Sequence, residues 1–357
     1  MRDRDIYNLL GLSFDAVDMD GTVQAVLDAI AEDRKLFLST PNLNFLIASL
    51  TSENFRNSVL NSDLSVADGM PIVFMCKLLD IPIKERVAGS SLIDELRSNE
   101  ACIKKPIKVF FFGGQDGIAQ KAHDILNREQ GGLRSVGYLN PGFGTVTDMS
   151  TNEIIDQVNK AAPEFIIVSL GAKKGQAWIE SNRTRLKANV ISHLGAVVNF
   201  IAGNVKRAPR WVQKMHMEWI WRIKEEPALF KRYVNDGTIF LKLMFTKILP
   251  YRRIIKNYNV HSTPTIKPDH KNYCIEFKGD LTKDIRSQLQ EILEENVESK
   301  MDITFNMAGV TYIDQAILGL FLRYCAAKTR SGHKIFIIEL SEPIRRIFEL
   351  NNLNYLI

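Results

Sequence analysis

Residues 66–71 read VADGMP and set one carboxylate, Asp68, directly after a short apolar run. An aspartate fixed at the end of a strand can take a proton from an incoming hydroxyl, which is the work of a general base. The same residues can equally be a plain turn, because Asp and Gly supply turn geometry and Pro starts the next helix. A second group is FFFGGQDG, residues 110–117, with glycines where a strand gives way to a helix. Such a turn lets backbone N–H groups approach a phosphate at the positive end of the helix. It is not G-x-G-x-x-G, which weighs against a nucleotide-dependent oxidoreductase. The triplet Asp18-Met19-Asp20 offers two carboxylates to a metal, yet it precedes an apolar-periodic segment and reads as a helix cap. Cys76, Cys102, Cys274 and Cys325 are far apart, and the histidines lack metal-ligand spacing. No metal and no cofactor are expected.

A fourth group is basic. Residues 201–256 hold 13 Lys and Arg against 4 Asp and Glu, while the chain as a whole is only +5. An anionic partner is implied. Within this segment lies KRAPRWVQKMHMEWIWRIKEEPALFKRY, residues 206–233. On a helical wheel Trp211, Val212, Met215, Trp219 and Ile223 fall within about 120° of one another. Lys214, Met217, Trp221 and Lys224 lie opposite. Tryptophan beside Lys and Arg suits a membrane interface. A core helix with a solvated basic face is the alternative. Nucleic-acid binding is the weakest reading, for no recognised motif accompanies the charge.

The elements that must position these groups alternate. Helices are expected at 23–31, 42–50, from 118, and at 177–185. Strands are expected at 35–39, 64–67, 107–112, 165–170 and 190–193. Continuous apolar strands between helices argue for an α/β fold, a Rossmann-like, mostly parallel sheet with helices on both faces. In such sheets ligands sit at the carboxyl ends of the strands. The loops Thr40-Pro41-Asn42, Asp68-Gly69, Gly113-Gly114 and 171–176, and the chain from Gly195 onward, fall on that edge. Residues 251–272 lack periodicity and carry two prolines, so they read as a linker. A small α/β pattern of strands and helices then runs from 273 to 357. The expected organisation is a catalytic domain over 1–200, a basic aromatic appendage over 201–250, the linker, and the small domain. No apolar run is long enough to span a membrane, and the charged start MRDRDIYNLL lacks a signal core. A cytoplasmic location is expected.

Several of these stretches together resemble a known family. They are STPNLNFL (39–46), VADGMPIV (66–73), RVAGSSLI (86–93), FFFGGQDG (110–117), NPGFG (140–144), SLGAKKGQAWI (169–179) and IAGNVKRAPRWVQKMHMEWIWRIKEEP (201–227). In order, and over roughly residues 6–235, they resemble the WecB/TagA/CpsF glycosyltransferases, glycosyltransferase family 26. The resemblance implies metal-independent, inverting transfer of a hexose (N-acetylmannosamine, a uronic acid or a neutral hexose) from a UDP-sugar. The implied acceptor is an undecaprenyl-diphosphate-linked saccharide, in surface polysaccharide synthesis on the inner face of the cytoplasmic membrane. It assigns the general base to Asp68 and substrate contacts to Thr40, Asn42, Arg86, Gln176 and Asn199. Gly113, Gly114 and Gly171 would line the nucleotide. Lys206, Arg207, Arg210, Trp211 and Arg222 would meet the diphosphate or the anionic membrane surface. Asn199 departs from the family's usual Asp, and Lys173-Lys174-Gly175 from its usual loop. The alternative reading is a catalytically weakened nucleotide-sugar-binding protein.

The tail resembles a STAS domain through FKGDLT (277–282) and VTYIDQAILGLFLRY (310–324). Phosphorylatable STAS domains carry a hydroxyl after the Asp, whereas Asp314 is followed by Gln315. A fixed docking module for a protein partner is therefore expected, not a kinase-driven switch. Removal of 273–357 is expected to leave basal chemistry intact.

Overall fold

The computed structural model describes residues 4–357 except 210, 213, 214, 216, 259–261, 270–272 and 298–300, and excepting the side chains of 296 and 297. Its central sheet has six strands, β3 (Leu36–Ser39), β4 (Leu64–Ser65), β5 (Ile107–Gly113), β6 (Leu133–Leu139), β7 (Phe165–Ser169) and β8 (Val190–His193). They run in the order β4-β3-β8-β7-β5-β6, every adjacent pair parallel. The apolar runs explain why. Val109 and Phe111 of β5 join Phe165 and Ile167 of β7 in one core, while Phe110, Phe112, Ile166 and Val168 join the core on the other face. A strand apolar on both faces must be covered by helices on both sides. On the second face Trp178 stacks on Phe112 with ring centroids 3.9 Å apart.

Two features lie outside the expected pattern, an N-terminal hairpin and a strand within the expected linker. Strands β1 (Ile6–Leu9) and β2 (Leu12–Asp15) form an antiparallel hairpin across Leu10 and Gly11, both at positive φ. A second sheet holds β9 (Thr265–Asp269), β10 (Cys274–Leu281), β11 (Ile303–Ile313) and β12 (Ile335–Ile338) in the order β12-β11-β10-β9. The described residues within 251–272 are thus not a structureless linker. Helix Leu249–Asn257 runs into them, and β9 pairs antiparallel with β10.

The hairpin lies between the two sheets, and its eight strand residues are all buried. Helix Gln315–Arg330 packs directly on β1. Gly319 makes this possible, because a Cβ there would stand 2.8 Å from the Tyr7 carbonyl carbon. A polar lock sits beside it. Asn8 Nδ2 donates to Gln315 Oε1 at 2.7 Å and to Asn351 Oδ1 at 2.8 Å, and Gln315 Nε2 donates to the same Asn351 oxygen at 2.8 Å. All three residues are buried, so each needs the partners it has. Around them one apolar cluster unites Leu9, Leu12 and Phe14 of the hairpin with Phe45, Phe55 and Met75 of the first domain and Ile317, Phe321 and Phe348 of the second.

Candidate active site

The carboxyl ends of β3, β4, β7 and β8 bring most of the expected residues together. Beyond β4, Val66 N donates to Ser39 O and Asp68 N to Pro41 O, both at 3.0 Å, so the Asp68 loop is tied to the Thr40-Asn42 loop. Val87 N donates to Ala67 O at 2.8 Å and draws the Arg86 loop to the same place. Asn42 caps helix Leu43–Thr51 through Oδ1, which accepts from Phe45 N at 3.1 Å. Thr40 is buried beside it. Gln176, on helix Ala172–Asn182, is fully buried; its Nε2 donates to Ser39 Oγ at 3.0 Å and its Oε1 has no hydrogen-bond partner among the described residues. The Asp18 side chain accepts from Gly21 N at 3.0 Å, as a cap does.

The glycine turn serves packing more than was expected. Gly113 has φ +88, and a Cβ there would meet Ser169 O at 2.8 Å. The Gly114 N–H is already donated to Ser169 O at 2.7 Å, so it is not free for a phosphate. Gly171 begins helix Ala172–Asn182 with open space around it. Asn199 is half-buried on the short helix Val197–Ile201.

Asp68 is partly exposed, and its carboxylate accepts from the N–H of Gly89, the first residue of helix Gly89–Ser98. Among the described residues, the charged side chains that act on it most are Arg86, Glu218 and Arg222. Burial dominates and pushes the carboxyl up to about 6, while Arg86 pulls it back down. A base with a pKa near the working pH combines availability with driving force.

Glu218 was not anticipated. It opens helix Glu218–Glu225 of the appendage, and both its oxygens accept from Arg86, at 2.8 and 3.1 Å. One turn on, Arg222 donates to Glu226 at 2.6 Å and lies over the Phe200 ring. The appendage is therefore folded over the cleft. The single long helix implied by the wheel does not form, since the chain leaves helical geometry at Met217, φ −100° and ψ 18°. Val212 is buried while Trp211, Met215 and Trp219 are exposed. Arg207 is held by helix Gly89–Ser98, pairing with Asp94 and donating to Ser91 Oγ at 2.9 Å. Lys206 is exposed, and its carbonyl accepts from Trp221 Nε1. Arg210 lies outside the described residues. Among the described residues no three His, Cys, Asp or Glu side chains gather at metal-binding distance.

In the second domain Asp314 caps helix Gln315–Arg330, accepting from Ile317 N at 2.9 Å. The next position, Gln315, is enclosed in the lock with Asn8.

A parallel sheet covered by helices on both faces, with Asp68, Arg86, Glu218 and Arg222 gathered at its strand ends, is the architecture of an α/β enzyme whose cleft lies at the carboxyl edge of the sheet. The chain belongs to the WecG/TagA/CpsF family of glycosyl transferases, whose model matches residues 7–254. The STAS domain model matches residues 262–357. Similar curated proteins include the N-acetylglucosaminyldiphosphoundecaprenol N-acetyl-beta-D-mannosaminyltransferase of Bacillus spizizenii. It is 26% identical over 204 residues, covering 57% of this chain and 77% of that protein. The Staphylococcus aureus enzyme of the same name is 25% identical over 224 residues, covering 60% and 83%. The chain is accordingly a glycosyltransferase with a C-terminal STAS domain. No helix among the described residues is long and apolar enough to cross a membrane.

Proposed function

We propose that this enzyme moves N-acetylmannosamine from a UDP donor onto an undecaprenyl-diphosphate-linked N-acetylglucosamine, inverting the anomeric centre without a metal. The observation that carries the reading is Asp68, set at a strand end beside the N-terminus of helix Gly89–Ser98 and facing Arg86 and Arg222. Asp68 takes the proton of the acceptor hydroxyl as that oxygen bonds to the anomeric carbon. The bond to UDP breaks on the opposite face. The charge left on the diphosphate is met by arginine side chains and helix N-termini. Thr40, Asn42, Gln176 and Asn199 hold the sugars and the nucleotide. The names of the two relatives support the choice of donor sugar and acceptor.

The test is UDP release from a panel of UDP-sugars with a synthetic prenyl-diphosphate-linked N-acetylglucosamine and EDTA present. Acceptor-dependent release from UDP-N-acetylmannosamine is expected. Its kcat/KM falls as pH drops through about 6, the point at which the base becomes protonated. Loss of release on EDTA addition would remove metal independence, and a flat acid limb would remove Asp68 as the titrating group.

The enzyme is proposed to work at the inner face of the membrane, seated by helix Phe230–Leu243. Phe230, Val234 and Leu241 are 59%, 53% and 56% exposed, and at about 100° per residue they fall within about 40° of arc. Phe245 continues the exposed apolar surface at 68%, and the exposed Lys231 and Lys242 lie beside it. An exposed apolar stripe with basic neighbours suits an anionic bilayer surface. Replacing Phe230, Val234, Leu241 and Phe245 together by Ser should release the protein from anionic vesicles in a sedimentation assay. Unchanged sedimentation would rule the stripe out. The STAS domain is proposed to act in cis, docked on its own catalytic domain.

A further inference from the structure

The appendage brings an acid into a segment otherwise dominated by bases, and that acid is aimed at the cleft. Arg86 and Glu218 are 132 positions apart and meet through both guanidinium nitrogens, with side chains only 18% and 23% exposed. A two-point Arg–carboxylate pair fixes orientation as well as distance. With Arg207, which pairs with Asp94, it is one of the points where the appendage grips the rim that carries Asp68. Arg86 forms its ion pair with Glu218 and none with Asp68. Glu218 and Arg222 stand one turn apart on the same helix, so docking that helix places one negative and one positive group before Asp68 at once. Trp221 Nε1 donating to Lys206 O at 3.0 Å holds the helix against the chain that leads into it.

We propose that Glu218 is a positioning residue that couples docking of the appendage helix to readiness of the base, by gripping Arg86 and keeping its guanidinium from pairing with Asp68. Rested on the reading of Asp68 as the base, the device has a simple consequence. With the helix docked, Glu218 offsets Arg86 and the carboxylate at 68 stays a competent proton acceptor. With the helix lifted, Arg86 is released toward Asp68, the charged carboxylate is stabilised, and it becomes a poorer base. Among the described residues the charged groups acting on Asp68 are Arg86, Glu218 and Arg222, and the first two act on it in opposite senses. Glu218 touches neither the donor nor the acceptor in this scheme.

The experiment titrates the Asp68 carboxyl by 13C NMR in the full-length protein, its signal assigned by disappearance in Asp68→Asn. Glu218→Gln should move the Asp68 midpoint to lower pH. Glu218→Asp, which keeps the charge, should leave it close to wild type. Hydrogen exchange of amides 218–225 should quicken in Glu218→Gln by about tenfold or more, as loss of a hydrogen-bonded charge pair implies. In the transfer assay Glu218→Gln should lower plateau kcat and carry the acid limb to lower pH with it. An unmoved Asp68 midpoint, or a rise, overturns the proposal, whatever the exchange rates do. Because the titration needs no turnover, it stands even when no donor in the panel reacts. That outcome would instead count against the proposed transfer reaction.

Discussion

Asp68→Asn is expected to cut transfer by about 10²–10⁴-fold, the range a positioned general base contributes. UDP binding should survive, because the amide keeps the shape of the loop and leaves Arg86 and Arg222 in place. A second consequence has the opposite sign. Burial holds the Asp68 carboxyl up near 6, above its ordinary value of 3.8. Between those two values the folded protein binds more protons than the unfolded chain, so stability falls as pH rises through that window. Above pH 6 the wild type carries this penalty in full and the Asn variant does not. Asp68→Asn should therefore melt at a higher temperature than wild type at pH 8 and lose that advantage near pH 4. Full transfer activity in the variant would remove the base assignment. A lower melting temperature at pH 8 would show that the loop, not the charge, dominates.

That much of the site could be read from sequence follows from where its residues sit. Asp68, Thr40, Asn42 and Gln176 lie in or just after loops that leave short apolar strands, and a parallel sheet gathers those loops on one edge. Strands β5 and β7 are apolar on both faces, which is why FFF and FIIV declared themselves. Strand β6, LRSVGYL, lies at the sheet edge with Arg134 and Tyr138 exposed, and its pattern carries no such signal. Glu218 was hidden differently. Its partner Arg86 is far away in sequence, and within its own segment it reads as one acid among membrane-facing bases. The spacing of Glu218 and Arg222, one helical turn, was the available clue that this face is not uniformly basic. The hairpin was harder still. Leu10-Gly11 is a weak turn signal beside Asn-Gly, and β1 and β2 have both faces covered, so no alternation marks them. Its reason for existing is the Asn8–Gln315 contact, which closes over 307 positions.

The same hairpin decides what happens when the STAS domain is removed. Seen as sequence, the tail looks detachable, and a truncated enzyme should keep its chemistry. The shared core argues the reverse. Cutting away residues 262–357 would strip Ile317, Phe321 and Phe348 from a cluster that also holds Leu9, Leu12 and Phe14. It would leave Asn8 buried without Gln315 and Asn351, or expose it with the strand around it. Each large apolar side chain fully uncovered costs about 1.5–3 kcal/mol. A few of them consume the stability of a typical domain, about 5–15 kcal/mol in total. The truncated chain is expected to aggregate, or to keep far-UV circular dichroism while losing near-UV signal and binding a hydrophobic dye. A milder probe keeps the whole chain. Gly319→Ala places a Cβ 2.8 Å from the Tyr7 carbonyl carbon, so the helix must move off β1. A cost of about 1–3 kcal/mol is expected from such overpacking, read as a lower melting temperature with Asp68 chemistry retained in the folded fraction. A soluble truncation with intact near-UV signal and wild-type turnover would show the two domains to be independent after all. Loss of folding in the truncation, with stability alone reduced in Gly319→Ala, would make the STAS domain the outer wall of the catalytic domain's own core.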